Sequence, residues 1–279
     1  MASKGNAKRL DTEKYYGILV DVIGKATALP MVRVDRTTFL TAKFKNHPEL
    51  DRILVEGTTS VLSIDEIRTH ALKVVSANTK KTSGIAFMAG LPSSPLAMIP
   101  AGMGDTVQYF GYAIRMAQEI AYLYGDIDIF TNGNELSEEG QNRLIMYLGT
   151  MFGVSGAASL VKKNLVPHLS THLAKKVVSK PLTKTTWYPL LKRVAAALGY
   201  KITKQALGKT ITKSVPVIGG VVSGGLTWAT FKPLGNRLIE VFEDQLRTSE
   251  NKTTAEPEWD VIDSEVLVTE EHPETSKQD

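Results

Sequence analysis

The chain has 279 residues, 43% of them hydrophobic and none of them cysteine. That is enough apolar material for a substantial core, in one large domain or two small ones. The absence of thiols excludes a disulfide framework, thiolate metal sites and cysteine nucleophiles. The formal net charge of +4 hides a division: residues 140–239 carry fifteen Lys and Arg and no Asp or Glu, whereas residues 240–279 hold thirteen Asp and Glu against Arg247, Lys252 and Lys277. The basic window has no acids of its own, so its partners come from another part of the chain, a nucleic acid or an anionic lipid surface.

In chain order, the polar start Met1 to Arg9 is not followed by an apolar leader, which points to the cytosol. Leu10, Tyr15, Ile18, Leu19, Val22 and Ile23 follow helical spacing and predict a helix over 8–28, stopped before Leu29-Pro30. Two short helices are expected over Thr37 to Lys45 and Pro48 to Leu54. The Ser63-Ile-Asp-Glu66 capping box opens another through about Ser76. Residues 85–104 form an uncharged Gly, Pro, Ala and Met run, read as a buried hairpin or broken helix. Asp105 is expected to cap a helix over Thr106 to Tyr124, with Phe110, Ile114, Ala117, Ala121 and Tyr124 on one stripe, and Ser137 to start the next. Strand signals are scarce.

Two uncharged stretches invite a membrane reading: Leu144 to Val161, between Arg143 and Lys162-Lys163, and Ser214 to Phe231, between Lys213 and Lys232. Small residues recur at four-residue spacing, at Gly149, Gly153 and Ala157 in the first and Gly220 and Gly224 in the second, a pattern that lets helix backbones approach closely. Eighteen residues only just reach across roughly 30 Å of hydrocarbon, so a glycine-rich helical hairpin, soluble or reversibly inserting, is preferred over a true span. After residue 248 the composition turns acidic and predicts a disordered tail over 249–279, with a short strand or docking motif from Trp259 as a lesser option.

Catalytic patterns are weak. His168 and His172 share a helical face at i and i+4, the spacing of zinc hydrolases, but Ser170 and Thr171 stand where a catalytic Glu would be, and a third ligand would have to come from His70, Asp105 or Glu119. Gly208-Lys209-Thr210 lacks the upstream glycine of a phosphate loop, since position 203 is Thr. Asp128, Asn132, Gly133 and Glu139 match some calcium-loop positions, but Phe130 occupies a ligand position and a helix-connecting turn is the better reading. No catalytic residue, metal site or cofactor is expected.

The functional signal is the basic window. Lys162, Lys163, Lys175, Lys176, Lys180, Lys184, Lys192, Arg193, Lys201, Lys204, Lys209 and Lys213 interleave with apolar residues. The preponderance of lysine favours diffuse attraction to anionic head groups over bidentate readout of bases. Few aromatic residues accompany them, so a stacking platform for single strands is not indicated.

Three segments resemble the EcsC family: Met31 to Leu40; Leu91 to Gly125, with its Pro100-Ala-Gly-Met-Gly-Asp105 turn and the close Arg115-Met-Ala-Gln-Glu-Ile-Ala-Tyr-Leu-Tyr-Gly125; and Val215 to Leu226. The likeness runs through most of residues 10–247 and excludes the acidic tail. It departs at Leu91-Pro-Ser-Ser-Pro95, where a glycine turn is expected. The family is named for a product encoded beside a bacterial ABC transporter and has no agreed activity. The resemblance implies an α-helical bacterial protein working at or near a membrane and transfers no catalytic residue.

The sequence thus predicts a mainly α multi-helix bundle over 8–248 after a disordered 1–7, with a glycine-rich helical hairpin and a disordered acidic tail. The expected role is a non-catalytic accessory at the inner face of the cell membrane, with an anionic surface or a membrane protein as partner and the acidic tail as competitor; the resemblance to the EcsC family implies a link to ABC transport or secretion. A nucleic-acid-binding protein using lysines 162–213 and a metal-dependent hydrolase at His168 and His172 are the alternatives.

Overall fold

The computed structural model describes residues 2–89, 103–131, 135–164, 188–209 and 216–251. Among them the chain is a bundle of helices: α1 (Ala2–Thr27), α2 (Arg36–Phe44), α3 (Leu50–Glu56), α4 (Ile64–Ala89), α5 (Met103–Leu123), α6 (Glu138–Met151), α7 (Ala157–Asn164), α8 (Tyr188–Lys209) and α9 (Pro216–Asn251). A two-residue antiparallel pair, β1 (Phe130–Thr131) with β2 (Glu135–Leu136), interrupts the connection between α5 and α6. The mainly α architecture is as the sequence predicts. Helical backbone begins at Ala2 in α1 and runs to Asn251 in α9, and residues 252–279 lie outside the described residues.

Local chemistry sets the helix starts. The Asp35 carboxylate accepts from Thr38 N at 2.7 Å and opens α2. Ser63 and Glu66 exchange bonds as a capping box should: Ser63 N donates to Glu66 Oε2 at 2.9 Å and Glu66 N donates to Ser63 Oγ at 3.3 Å. Ser137 Oγ accepts from Gly140 N and opens α6. Two expectations are corrected. Helix α5 starts at Met103, so Asp105 lies inside its first turn rather than at the capping position. Helix α4 runs to Ala89, three turns beyond Ser76, because nothing before Gly90-Leu-Pro breaks it. Helix α5 ends on Gly125 at φ 88°, with Asp126 N donating back to Ala121 O at 3.0 Å, a left-handed close that only glycine makes without steric cost.

Helix α5 runs through the middle. The predicted stripe Phe110, Ile114, Ala117, Ala121 and Tyr124 is buried throughout and meets Leu19, Val74, Leu148, Phe231 and Phe242 in one core. Tyr124 stacks on Phe242 at 5.2 Å, and Tyr109 meets Phe231 edge-on at 5.6 Å, so α5 and α9 run parallel. Helix α4 runs antiparallel to both: Arg247 reaches Asp65 at 2.7 Å, Arg68 pairs with Glu243, and Gly235 abuts Val75. This α4–α9 pair is the most extensive helix contact among the described residues.

The uncharged stretch from Leu144 to Val161 is not one continuous helix. α6 stops at Met151, Phe152 to Gly156 turn, and α7 begins at Ala157. Gly153 and Gly156 take φ of 63° and 81° in that turn. Gly149, Gly153 and Ala157 therefore do not form one small-residue face. Gly149 alone acts as such, since a Cβ there would stand 2.8 Å from Ala157 and against Val194.

Candidate functional site

Within the described part of the basic window, several cations are answered by acids of the same chain. Lys162 pairs with Asp244 of α9. Lys192 reaches Glu13 of α1 at 2.9 Å and lies over the rings of Tyr16 and Tyr188 at 5.4 and 5.6 Å. Burial and the Tyr188 hydroxyl push the Tyr16 phenol up to about 12. Arg237 donates to Met151 O at 2.9 Å and closes the end of α6. Lys163 and Arg193 are exposed. Lys201, Lys204 and Lys209 lie on α8 and Gly220 and Gly224 on α9, described as helical backbone only. Lys175, Lys176, Lys180, Lys184, Lys213, His168 and His172 lie outside the described residues.

The most buried charges form a closed network. The Asp126 carboxylate has no exposed surface and takes Arg143 Nη1 and the Tyr147 hydroxyl. Arg143 also reaches Glu139 through Nη2 at 2.8 Å and Nε at 3.3 Å. Burial opposes the Arg143 charge, but Asp126 and Glu139 outweigh it and raise the guanidinium. Burial, then the Asp126 charge, raises the Tyr147 phenol. The network ties the start of α6 to the turn after α5, and all its strong groups are occupied. Of the residues that match calcium-loop positions, Asp128 accepts from Arg36 N at 3.2 Å and Glu139 is held by Arg143, while Asn132 and Gly133 lie outside the described residues. Of the suggested third metal ligands, Glu119 is held by Asn78 at 2.7 Å and Arg115 at 2.9 Å, and His70 packs on Phe44. No group of three or more His, Asp or Glu that could hold a metal ion is present among the described residues.

The distinctive arrangement lies at one end of the bundle. Because α4 is antiparallel to α5 and α9, the C-terminal end of α4 and the N-terminal ends of α5 and α9 face the same way. The described parts of two long uncharged runs, 82–89 and 103–104 of 82–104 and 216–231 of 214–231, lie in these segments, whereas a third such run, 144–161, lies in α6 and α7. Eight residues of α4 beyond Lys81 and sixteen of α9 before Lys232 are helical, which at 1.5 Å per residue extends them by about 12 and 24 Å. Lys80, Lys81 and Lys232 are exposed at the base of these segments. The Val75 to Gly235 register places them within about one helical turn of each other along the axis. Asp105, in the first turn of α5, is the single acid in the described helical segments of this end.

Lys80 and Lys81 are absent from the predicted set, although the sequence holds their signal: residues 67–104 are a second acid-free window, carrying Arg68, Lys73, Lys80 and Lys81. Only the helix pairing joins it to the first. No described helix is long and apolar enough to cross a membrane. No family model matches the chain, and comparison with curated proteins and with solved structures likewise finds no match.

Proposed function

We propose that the protein is a non-catalytic accessory of anionic membrane surfaces, inserting the uncharged end of the bundle into one leaflet while Lys80, Lys81 and Lys232 hold the head groups. The observation that carries this reading is the convergence of two uncharged helix segments, 82–89 of α4 and 216–231 of α9, above a shared level of three exposed lysines. Segments lying oblique to the surface, with their apolar side chains about 5–10 Å deep at the boundary between head groups and acyl chains, need no span. Each lysine at an anionic surface adds about 1 kcal/mol. Long lysine stems reach from an apolar level to the head groups.

The glycine-rich runs supply close packing for the inserted helices, as the expected hairpin did, and residues 252–279 compete for the lysines through their charge. The resemblance to the EcsC family belongs to this proposal: its most specific segment, Asp105 to Gly125, is α5 and the close after it, and α5 opens at this end. The basic window over 162–213 contributes through Lys163 and Arg193 at most among its described side chains, since Lys162 and Lys192 are engaged.

Co-sedimentation with phosphatidylcholine vesicles, with and without phosphatidylserine, tests the reading. The protein is expected to sediment with the anionic vesicles, K80Q/K81Q/K232Q to lose most of that binding, and K163Q/R193Q to keep most of it. Removing residues 252–279 deletes nine Asp and Glu and two Lys, raises the formal charge from +4 to +11, and strengthens binding in a salt-dependent way. Equal recovery of wild type and the triple variant would remove the lysine level from the account.

A further inference from the structure

On the flank of the bundle, α2, the turn after it and α4 converge on the buried ring of Phe44. The His70 imidazole lies against that ring with centroids 4.8 Å apart, and His47 meets it edge-on at 6.3 Å. Lys43 precedes Phe44 on α2 and is half-buried, while Lys73 follows His70 by three residues, stands on the same face of α4 and is exposed. Two carboxylates stand nearby and both are engaged. Glu66 accepts from Ser63 N and Oγ at 2.9 and 2.8 Å, and Glu119 accepts from Asn78 and Arg115.

Among the described residues, Lys43 Nζ, Lys73 Nζ and the His70 ring have no hydrogen-bond acceptor. His47 Nδ1 accepts from Glu49 N at 3.2 Å, which leaves Nε2 as the donor of that ring. A half-buried ammonium without an acceptor is unfavourable. Burial lowers the Lys43 amine, with Lys73 adding to the effect against Glu119. Burial, then the Lys43 and Lys73 charges, lowers the His70 imidazole, with Glu66 opposing and His47 adding. A bound anion reverses these electrostatic effects and supplies the missing acceptors.

We infer that Lys43, Lys73, His47 and His70 form a binding site for a phosphate monoester group. Its several strong acceptor oxygens and a charge near −2 match donors arriving from two helices and a turn, and lysine serves phosphate as a point charge. The group belongs to a soluble phosphate or to a lipid head group. The site lies about 10 Å back along α4 from Lys80 and does not depend on the insertion proposed above.

The test titrates inorganic phosphate into the full chain at constant ionic strength, following the thermal midpoint and the His70 ring by NMR. Phosphate is expected to raise the midpoint and move the His70 titration to higher pH. K43Q/K73Q loses both effects, and K80Q/K81Q keeps them. A vesicle arm compares phosphatidic acid with phosphatidylserine at matched surface charge. A preference for phosphatidic acid that K43Q/K73Q abolishes assigns the lipid source, and equal binding assigns the soluble one. An unchanged His70 titration in phosphate, or a midpoint shift that persists in K43Q/K73Q, overturns the site. The wild-type NMR result decides even where the double variant fails to fold.

Discussion

Gly235 of α9 lies so close to Val75 of α4 that a Cβ at position 235 would overlap the Val75 Cγ2 methyl, with Met116 Sδ 3.2 Å away. The valine side chain is stiff about χ1 and has little room to yield. Gly235→Ala is therefore expected to cost about 1–3 kcal/mol even though alanine is the better helix former. Gly17→Ala on α1, where nothing lies within 4 Å, should gain about 0.5–1 kcal/mol. Urea midpoints of the two variants should move in opposite directions. A stabilised Gly235→Ala would mean that α4 and α9 are less closely packed than described.

The corner between α6 and α7 turns on Gly153, whose φ of 63° favours glycine. Gly153→Ala should lower stability by about 1 kcal/mol, because an L side chain is strained there. A neutral or stabilising effect in a thermal melt would favour a helix continuing from Leu144 to Val161.

Removing parts of the Asp126 network should rank by how much charge each leaves buried. Asp126→Ala strips Arg143 of its buried partner and is expected to cost about 3–5 kcal/mol. Tyr147→Phe leaves one carboxylate oxygen without its donor, at about 1–3 kcal/mol. Glu139→Gln acts at an exposed carboxylate and should cost under about 1 kcal/mol. Chemical denaturation of the three variants checks the order, and an Asp126→Ala milder than Glu139→Gln would contradict the burial on which the ranking rests.

Much of the bundle could be read from residues, and the reasons for the rest are physical. Capping groups act locally, so Asp105, Ser63, Glu66 and Ser137 marked helix starts to within a few residues. The α5 stripe was legible because burial follows the helical period. The break at Phe152 was hidden, since Gly153 reads equally well as a helix-packing glycine and as a left-handed turn residue. The partners of Lys162 and Lys192 lie 82 and 179 residues away and emerge only when α9 and α1 pack. The same holds for the lysine level, because Lys80 and Lys232 come to a common height along the bundle only through the antiparallel pairing of α4 and α9.

The lowered His70 imidazole gives the stability a pH dependence of definite sign. Between its folded value and the ordinary value of 6.5 the unfolded chain binds more protons at this position, so stability rises with pH there and is lost as pH falls through that range. His70→Gln should flatten this part of the profile. Denaturation midpoints between pH 8 and about 5 check it, and an unchanged slope in the variant would detach His70 from the effect.

Entry of the uncharged end of the bundle into the bilayer has a reporter in Trp228. It lies in the uncharged half of α9, one helical turn before Lys232. In a chain with Trp187 and Trp259 changed to Phe, Trp228 fluorescence should be quenched by brominated lipids in phosphatidylserine-containing vesicles, more strongly when the bromines lie within the acyl region near the head groups. A tryptophan introduced in place of exposed Val55, on a chain in which Trp228 is also Phe, should not be quenched. Bound protein whose Trp228 is as poorly quenched as the tryptophan at position 55 would contradict the account.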